Sequence, residues 1–291
     1  MQVIGKSMPM VDAIEKVTGS AKYAIDIELP NMLHGKLLLS PHPHAKILSI
    51  NTKRAEELPG VYAVVTHRDM TDRKISYSPY LDQYIFAKDK VRFAGELVAA
   101  VAAVDALTAR RAVSLIEVKY KPLPAVFNIQ EAIKDTAPLV HDEYGSNIVH
   151  TLNYVRGDPD NAWKDCAVVA EETFETSIAH PAYLEPQACV AAFDAHGVVD
   201  IYAGTQSPAG AIREKVSESV GIPIGNIQIH QAFVGGGFGG KAWQQIVPVT
   251  VALAKKAGKP VKVVLSRRED LITTPPRVPM HLHLKMGADK E

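Results

Sequence analysis

The sequence predicts an α+β fold in two units, and three observations carry that expectation. Short apolar runs of strand length recur through the first 120 or so residues, with helical stretches set between them. A connector mixing proline, glycine and acids interrupts the pattern at residues 129–150. Beyond it strands resume and lead into Gly235-Gly236-Gly237-Phe238-Gly239-Gly240-Lys241, a glycine loop with a strand before it and a helix after it.

The elements follow in order. Residues 1–20 read as an extended arm. Residues 36–39 and 47–50 are short apolar strands separated by Ser40-Pro41-His42-Pro43-His44, and a short helix falls at 52–58. Val61-Tyr62-Ala63-Val64-Val65 is a strand introduced by Pro59-Gly60. Residues 71–83 are polar and turn-rich, a surface loop. Residues 98–104 are apolar throughout, as a buried strand requires; Asp105 caps a helix reaching Ser114, and 116–120 return as a strand. Pro122 and Pro124 close this unit. The second unit opens with strands at 167–176, 188–193 and 198–203. Ser207-Pro208 starts a helix whose apolar face is Ala211, Ile212, Val216 and Val220, and Gly221 with Pro223 stops it. Residues 227–234 form a half-buried strand, because Ile227, Ile229 and Phe233 share a face on which only Gln231 is polar. Residues 243–256 read as a helix that Pro248 should kink or break. A strand at 261–265 and an alternating strand at 281–286 complete the order. Nothing near Glu291 resembles a domain's finish, and the sequence reads as cut there.

Composition narrows the function classes. Hydrophobic residues make up 47% and charged residues 22%, ordinary for a globular protein able to bury a core. The 32 basic and 32 acidic side chains are spread evenly, which argues against a nucleic acid or an anionic membrane as partner. Two cysteines, Cys166 and Cys189, exclude a disulfide framework and are too few for an iron–sulfur cluster. With no leader or membrane-length apolar run, the expected compartment is the reducing cytoplasm. His42, His44, His180, His281 and His283 show no metal-ligand spacing on a helix.

The glycine loop is the chemical centre of the chain. Five of its first six residues lack a Cβ, a composition that a chain accepts where the backbone turns with positive φ or a ligand must approach the amides. A strand, a glycine loop and a helix start can cradle an anion. Gly235, Gly237 and Gly240 satisfy the dinucleotide spacing, and Arg267 and Arg268 stand where a 2′-phosphate could be held. Against that reading, the preceding strand mixes in polar residues, Pro248 interrupts the helix, and no acid stands about 20 residues beyond the loop. A purely structural turn is the third option. Lys241 could pair with phosphate but reads more simply as solvated, and Glu185, beside Pro186, reads as a turn residue or a paired charge.

The loop string, with Gly204-Thr205-Gln206 about thirty residues upstream, resembles the molybdenum-binding subunit of the xanthine dehydrogenase/aldehyde oxidase family. Gly5-Lys6 before Asp12-Ala13-Ile14-Glu15-Lys16-Val17-Thr18-Gly19, then Ser40-Pro41-His42-Pro43-His44-Ala45, Pro59-Gly60-Val61, His180 and Glu185-Pro186 agree in the same order, so the resemblance covers essentially the whole chain. It implies an arm at 1–13, a hammerhead α+β domain at 14–130, a connector at 131–150, and at 151–291 the first part of a mixed α+β molybdopterin-binding domain. It further implies that Gly236, Gly237, Phe238, Gly239 and Gly240 lie against a molybdenum–molybdopterin cofactor, plain or as its cytosine dinucleotide, with Phe238 and Gly239 closest. Gln206 matches the glutamine that hydrogen-bonds an oxygen ligand of the metal and is the catalytic candidate; no side chain ligates the metal directly. The implied reaction hydroxylates an aldehyde or electron-poor N-heteroaromatic carbon with oxygen from water. Its electrons leave through iron–sulfur clusters and FAD on partner subunits.

Two departures qualify the resemblance. Ala242 stands where purine-oxidising members carry a substrate-holding glutamate, and alanine cannot hydrogen-bond a purine. The family's glutamate general base belongs to a later segment not contained in these residues, so a further chain carrying the rest of the domain is expected. Activity is then expected only with partner chains; a non-catalytic scaffold subunit is the rival reading.

Overall fold

A computed structural model describes residues 3–75, 82–207 and 209–290. The N-terminal half contains helix α1 (Ala13–Thr18), strands β1 (Leu33–Leu39) and β2 (Ala45–Asn51), helix α2 (Lys53–Glu56) and strands β3 (Val61–Thr66), β4 (Lys90–Val91) and β5 (Leu97–Ala103). Helix α3 (Ala106–Ser114), strand β6 (Glu117–Pro122) and helix α4 (Ile129–Ala132) follow. The Asp105 carboxylate accepts the amide of Thr108, the cap that the sequence predicts for α3. The arm is not wholly extended. Met10 and Asp12 carbonyls start α1, and Gly19 ends it at φ 75°, although no residue of this helix is buried.

The C-terminal half contains α5 (Pro159–Ala162), β7 (Val168–Thr176), β8 (Ala188–Phe193), β9 (Val199–Ala203), α6 (Ala209–Val220) and β10 (Ile227–Gln231). It continues with α7 (Ile246–Ala257), β11 (Val261–Val264), α8 (Arg267–Thr273) and β12 (Met280–Ala288). Pro248 does not break α7. The helix starts three residues later than expected, so Pro248 falls in its first turn, where an amide has no intrahelical acceptor anyway. In α6, Ile212, Val216 and Val220 face inward, but Ala211 is exposed and Ser219 completes the buried face, its hydroxyl donating to the Lys215 carbonyl. Pro208, the expected first-turn proline, lies outside the described residues, as do residues 76–81 of the expected surface loop; Ile75 and Gln83 pair at its base.

Seven strands form one sheet in the order β10-β9-β8-β11-β1-β5-β3. Only β9/β10 and β1/β11 are parallel; the other neighbours are antiparallel. The β1/β11 pairing, Leu33 opposite Val261, joins the strands before the connector to those after it. Helix α7 is buried from Ile246 to Ala254 and packs on β8, β3 and β11, which makes it the centre of the main core. A three-stranded sheet, β4-β2-β6, and a two-stranded ribbon, β7/β12, stand beside the main sheet. No helix among the described residues is long and apolar enough to cross a membrane.

Candidate functional site

Strands β9 and β10 run parallel with α6 as their crossover, so their carboxyl ends emerge side by side at the edge of the sheet. The two loops that leave those ends are tied together at once. Gln231 Nε2 donates to the Thr205 carbonyl at 2.7 Å, and the Gln206 amide donates to the Lys241 carbonyl at 3.0 Å. Gln244 Nε2 reaches the Gly204 carbonyl at 2.7 Å. The edge position also explains the polar residues of β10, which a central parallel strand would not carry.

These ties place Gln206 inside the glycine turn. Its Oε1 accepts two main-chain amides, from Gly239 at 3.0 Å and Lys241 at 3.2 Å. An amide N–H can only donate, so these two bonds fix which end of the carboxamide is oxygen. The NH₂ is left as an outward donor with no partner among the described residues. A Cβ at Gly237 would overlap the Gln206 side chain, and one at Gly240 would come within 2.6 Å of the Tyr183 ring. Gly239 needs its missing Cβ for a different reason: its surroundings are open, but φ is +93°. The amides of Gly236, Gly237 and Phe238 find no acceptor among the described residues, while Gly240 closes the turn on the Gly237 carbonyl at 2.8 Å. Phe238 itself adopts φ 48°, in the left-handed region a non-glycine residue rarely visits, and its side chain is 78% exposed.

Beneath the loop lies a polar support that the sequence hardly signals. Glu185 Oε2 accepts the Gly235 amide at 2.7 Å and the Lys241 ammonium at 2.6 Å, and the Glu185 amide returns to the Gly235 carbonyl. Lys241, expected as a solvated lysine, is 1% exposed and lies 4.9 Å over the Tyr183 ring. Gln187 Nε2 holds the Gly240 carbonyl at 3.0 Å and the Tyr183 hydroxyl at 3.2 Å. That hydroxyl donates to the wholly buried Asp270, and burial pushes its pKa up to about 12. Arg267 pairs with Asp270 and donates to the carbonyls of Tyr183 and Leu184, each at 2.7 Å. It is therefore engaged in the fold and does not wait for a 2′-phosphate. With the sheet-edge position of β10, this removes the dinucleotide-domain reading. Tyr183, Gln187 and Asp270 escaped the sequence reading because single polar residues far apart in the chain carry no local periodicity.

One side of the loop opens on a groove of about 600 Å³ lined by Phe238, Gly239, Gly240, Ala242 and Trp243, and across from them by His180, Pro181 and residues 275–278. Its wall is apolar and aromatic, and no carboxylate lines it among the described residues. The remaining histidines are placed structurally: His42 meets Tyr120 edge-on, His44 Nδ1 bonds the Pro124 carbonyl, and His281 and His283 pair with Glu175 and Glu171.

The family described as molybdopterin cofactor-binding domain matches residues 140–291, and that described as the aldehyde oxidase and xanthine dehydrogenase a/b hammerhead domain matches 18–124. The nicotinate dehydrogenase large molybdopterin subunit of Eubacterium barkeri is 34% identical over 290 residues, covering 100% of this chain and 68% of that protein. The xanthine dehydrogenase of Emericella nidulans is 33% identical over 297 residues, covering 100% of this chain and 21% of that one. Among solved structures, quinoline 2-oxidoreductase from Pseudomonas putida 86 superposes with a TM-score of 0.89 at 28% identity, over 98% of this chain and 37% of that chain. The chain thus spans about two thirds of the first relative, about a fifth of the second and little over a third of the third.

Proposed function

Because the chain belongs to the xanthine dehydrogenase/aldehyde oxidase family of molybdopterin-binding proteins, we propose that it builds one wall of the cofactor site of a molybdenum hydroxylase. The loop fits the group. Unpartnered amides at Gly236, Gly237 and Phe238 suit the anionic end of a pterin cofactor, and the absence of side chains lets it come close. The observation that carries the reading is the fixed polarity of Gln206, whose carboxamide oxygen is held by the loop so that its NH₂ is presented to an oxygen ligand without adding charge. When bound, the cofactor supplies the oxidising centre, accepting two electrons as a substrate carbon takes up oxygen from water.

The residues of this chain do the positioning. Gln206 orients an oxygen, the loop amides hold the cofactor, and the exposed Phe238 ring, with the prolines and the buried Trp243 behind it, gives the substrate an apolar wall. That wall, and the nicotinate, xanthine and quinoline in the names of the relatives, favour an electron-poor N-heteroaromatic carbon, with an aldehyde as the other class. Ala242 in the groove offers no hydrogen bond to a purine. A proton acceptor must come from outside this wall, since Glu185 is paired with Lys241. Cys189 is buried, its thiol pushed up to about 12 by burial, and Cys166 stands apart, so the electrons leave through iron–sulfur and flavin groups on partner chains, in a reducing cytoplasm.

Gln206→Ala in the assembled complex tests this reading. Loss of one oriented donor is expected to lower turnover by about 10²-fold or more while assembly is unchanged. Full turnover in that variant would leave the chain a scaffold.

A further inference from the structure

A second cavity lies away from the glycine loop and shares no lining residue with its groove. It encloses about 280 Å³, between the turn after β3, the segment before β4 and Ser219 near the end of α6. The turn is held at both ends. The Thr66 amide donates to the Asp69 carboxylate at 2.9 Å and the Arg68 amide to Thr66 Oγ1 at 3.3 Å, a reciprocal cap. The Thr71 amide donates to the Ser219 carbonyl at 2.9 Å and the Thr71 hydroxyl to the Glu218 carbonyl, which fastens the turn to α6.

The charge around this cavity is one-sided. Asp72 is the carboxylate that lines it, and Lys88 holds that carboxylate at 2.6 Å. Asp69, in the same turn, is taken by Lys256 of α7 at 2.7 Å. Arg68 and Arg73 line the cavity, and neither guanidinium has an ion pair or a hydrogen bond among the described residues. Residues 76–81, outside the described residues, contain no acid. Arg68, Arg73 and Lys88 against Asp72 leave two positive charges at one small cavity, in a chain whose net charge is +0. Like charges gathered in this way repel one another unless an anion joins them. His67 is a second signal. It lines the same cavity, and its Nδ1 is buried with no hydrogen-bond partner among the described residues. Burial, with Arg68 and Lys88 close by, lowers the pKa of this imidazole, so the ring is neutral near pH 7.

We propose that this cavity binds a small phosphate dianion, either free phosphate or the phosphate group of a monoester. Guanidinium forks match phosphate oxygens two at a time, and the two unpaired arginines balance the charge of a dianion. Tyr84, with Lys88 Nζ 5.8 Å from its ring centroid, and the buried Phe86 give the cavity an apolar side for the body of a monoester. The volume lies near the lower bound of small-molecule sites, which suits a metabolite-sized anion and excludes a polymer. The proposal does not depend on the hydroxylase reading, because it uses no residue of the glycine loop or its groove.

Calorimetric titration of the holoprotein with inorganic phosphate, adenosine monophosphate and adenosine tests this, in about 0.15 M sodium chloride so that loosely held ions are screened. Saturable binding of phosphate or the monophosphate is expected, and none of adenosine. A monophosphate bound about tenfold tighter than phosphate, or more, identifies a monoester as the occupant, and a smaller ratio identifies free phosphate. The affinity is expected to fall by about tenfold or more in Arg68→Gln/Arg73→Gln. It is expected to stay unchanged in Arg110→Gln/Arg111→Gln, which removes two exposed charges from α3 instead. Arg68 and Arg73 are exposed, so their replacement leaves the core intact. If the variant nonetheless melts low, amide exchange in the wild-type holoprotein decides: saturating phosphate is expected to slow exchange across residues 67–73 by about fivefold or more and to leave β7 unchanged. No saturable binding, adenosine bound as tightly as its monophosphate, equal losses in the two double variants, or unaltered exchange at 67–73 overturns the proposal.

Discussion

Strands β7 and β8 are neighbours in sequence and opposites in circumstance. β8, Ala188–Phe193, has a hydrogen-bonded strand on each side and α7 across its face, and its first four residues are buried. β7, Val168–Thr176, has one neighbour, and all nine of its residues are exposed. The difference separates two kinds of order. The seven-stranded sheet satisfies its own polar groups and encloses its own core, so the glycine loop at its edge sits on rigid support. The ribbon is ordered by a single ladder and leaves Phe174, Leu284 and Met286 largely in water.

The sharpest way to break that contrast is to remove the support under the loop. Lys241→Met leaves the Glu185 carboxylate in a nearly closed site with only the Gly235 amide as partner. Loss of one member of a buried ion pair costs about 3–5 kcal/mol, and the expected result is a fall of that size in denaturant-measured stability. The double change Glu185→Gln with Lys241→Met should cost clearly less than the single one, because no unpaired charge remains and glutamine still accepts the Gly235 amide. Equal losses in the two proteins would show that the pair does not hold the loop.

A second prediction assigns the pH dependence to the sheet. Glu96 is buried where the Gly95 and Ser40 backbones cross, and burial pushes its carboxyl up to about 7 against the opposing bond from the Arg92 amide. A carboxyl with a raised folded-state pKa stabilises the fold fully below its unfolded value near 4.5, and that contribution is lost as pH rises through about 7. A shift of this size corresponds to about 3 kcal/mol, so thermal stability should drop between pH 5 and pH 8. Glu96→Gln keeps the acceptor, removes the charge and should flatten the curve over that window. A wild-type profile that is already flat from pH 5 to 8 would contradict this.

The same contrast explains what could be read from the sequence. Period-2 and all-apolar runs located β3, β5, β8 and β9 closely, and Asp105 announced its helix, because those signals are local. Partnership is not local. Nothing in Leu33 or Val261 says that they lie opposite each other, so the joining of the two halves in one sheet was invisible. Pro248 misled because its effect depends on where the helix begins, and a start at Ile246 puts it in the first turn, where its missing amide costs nothing. At the site, the glycine run stood out by its composition, whereas Gln206 drew notice only through the family resemblance, because one glutamine carries no local signal. Lys241 gave no sign of its burial, which depends on Glu185, 56 residues away.

The smallest expected effect is also the cleanest comparison between the two regions. Leu253 of α7 is fully buried, and Leu253→Ala should cost about 2–5 kcal/mol, the transfer of the lost methyl groups plus the cavity they leave. Leu284→Ala in the ribbon removes the same atoms from a side chain that is half in water, with no enclosed space behind it. In the isolated chain it should cost under about 1 kcal/mol. A large loss in the isolated chain would mean that the ribbon is part of the core.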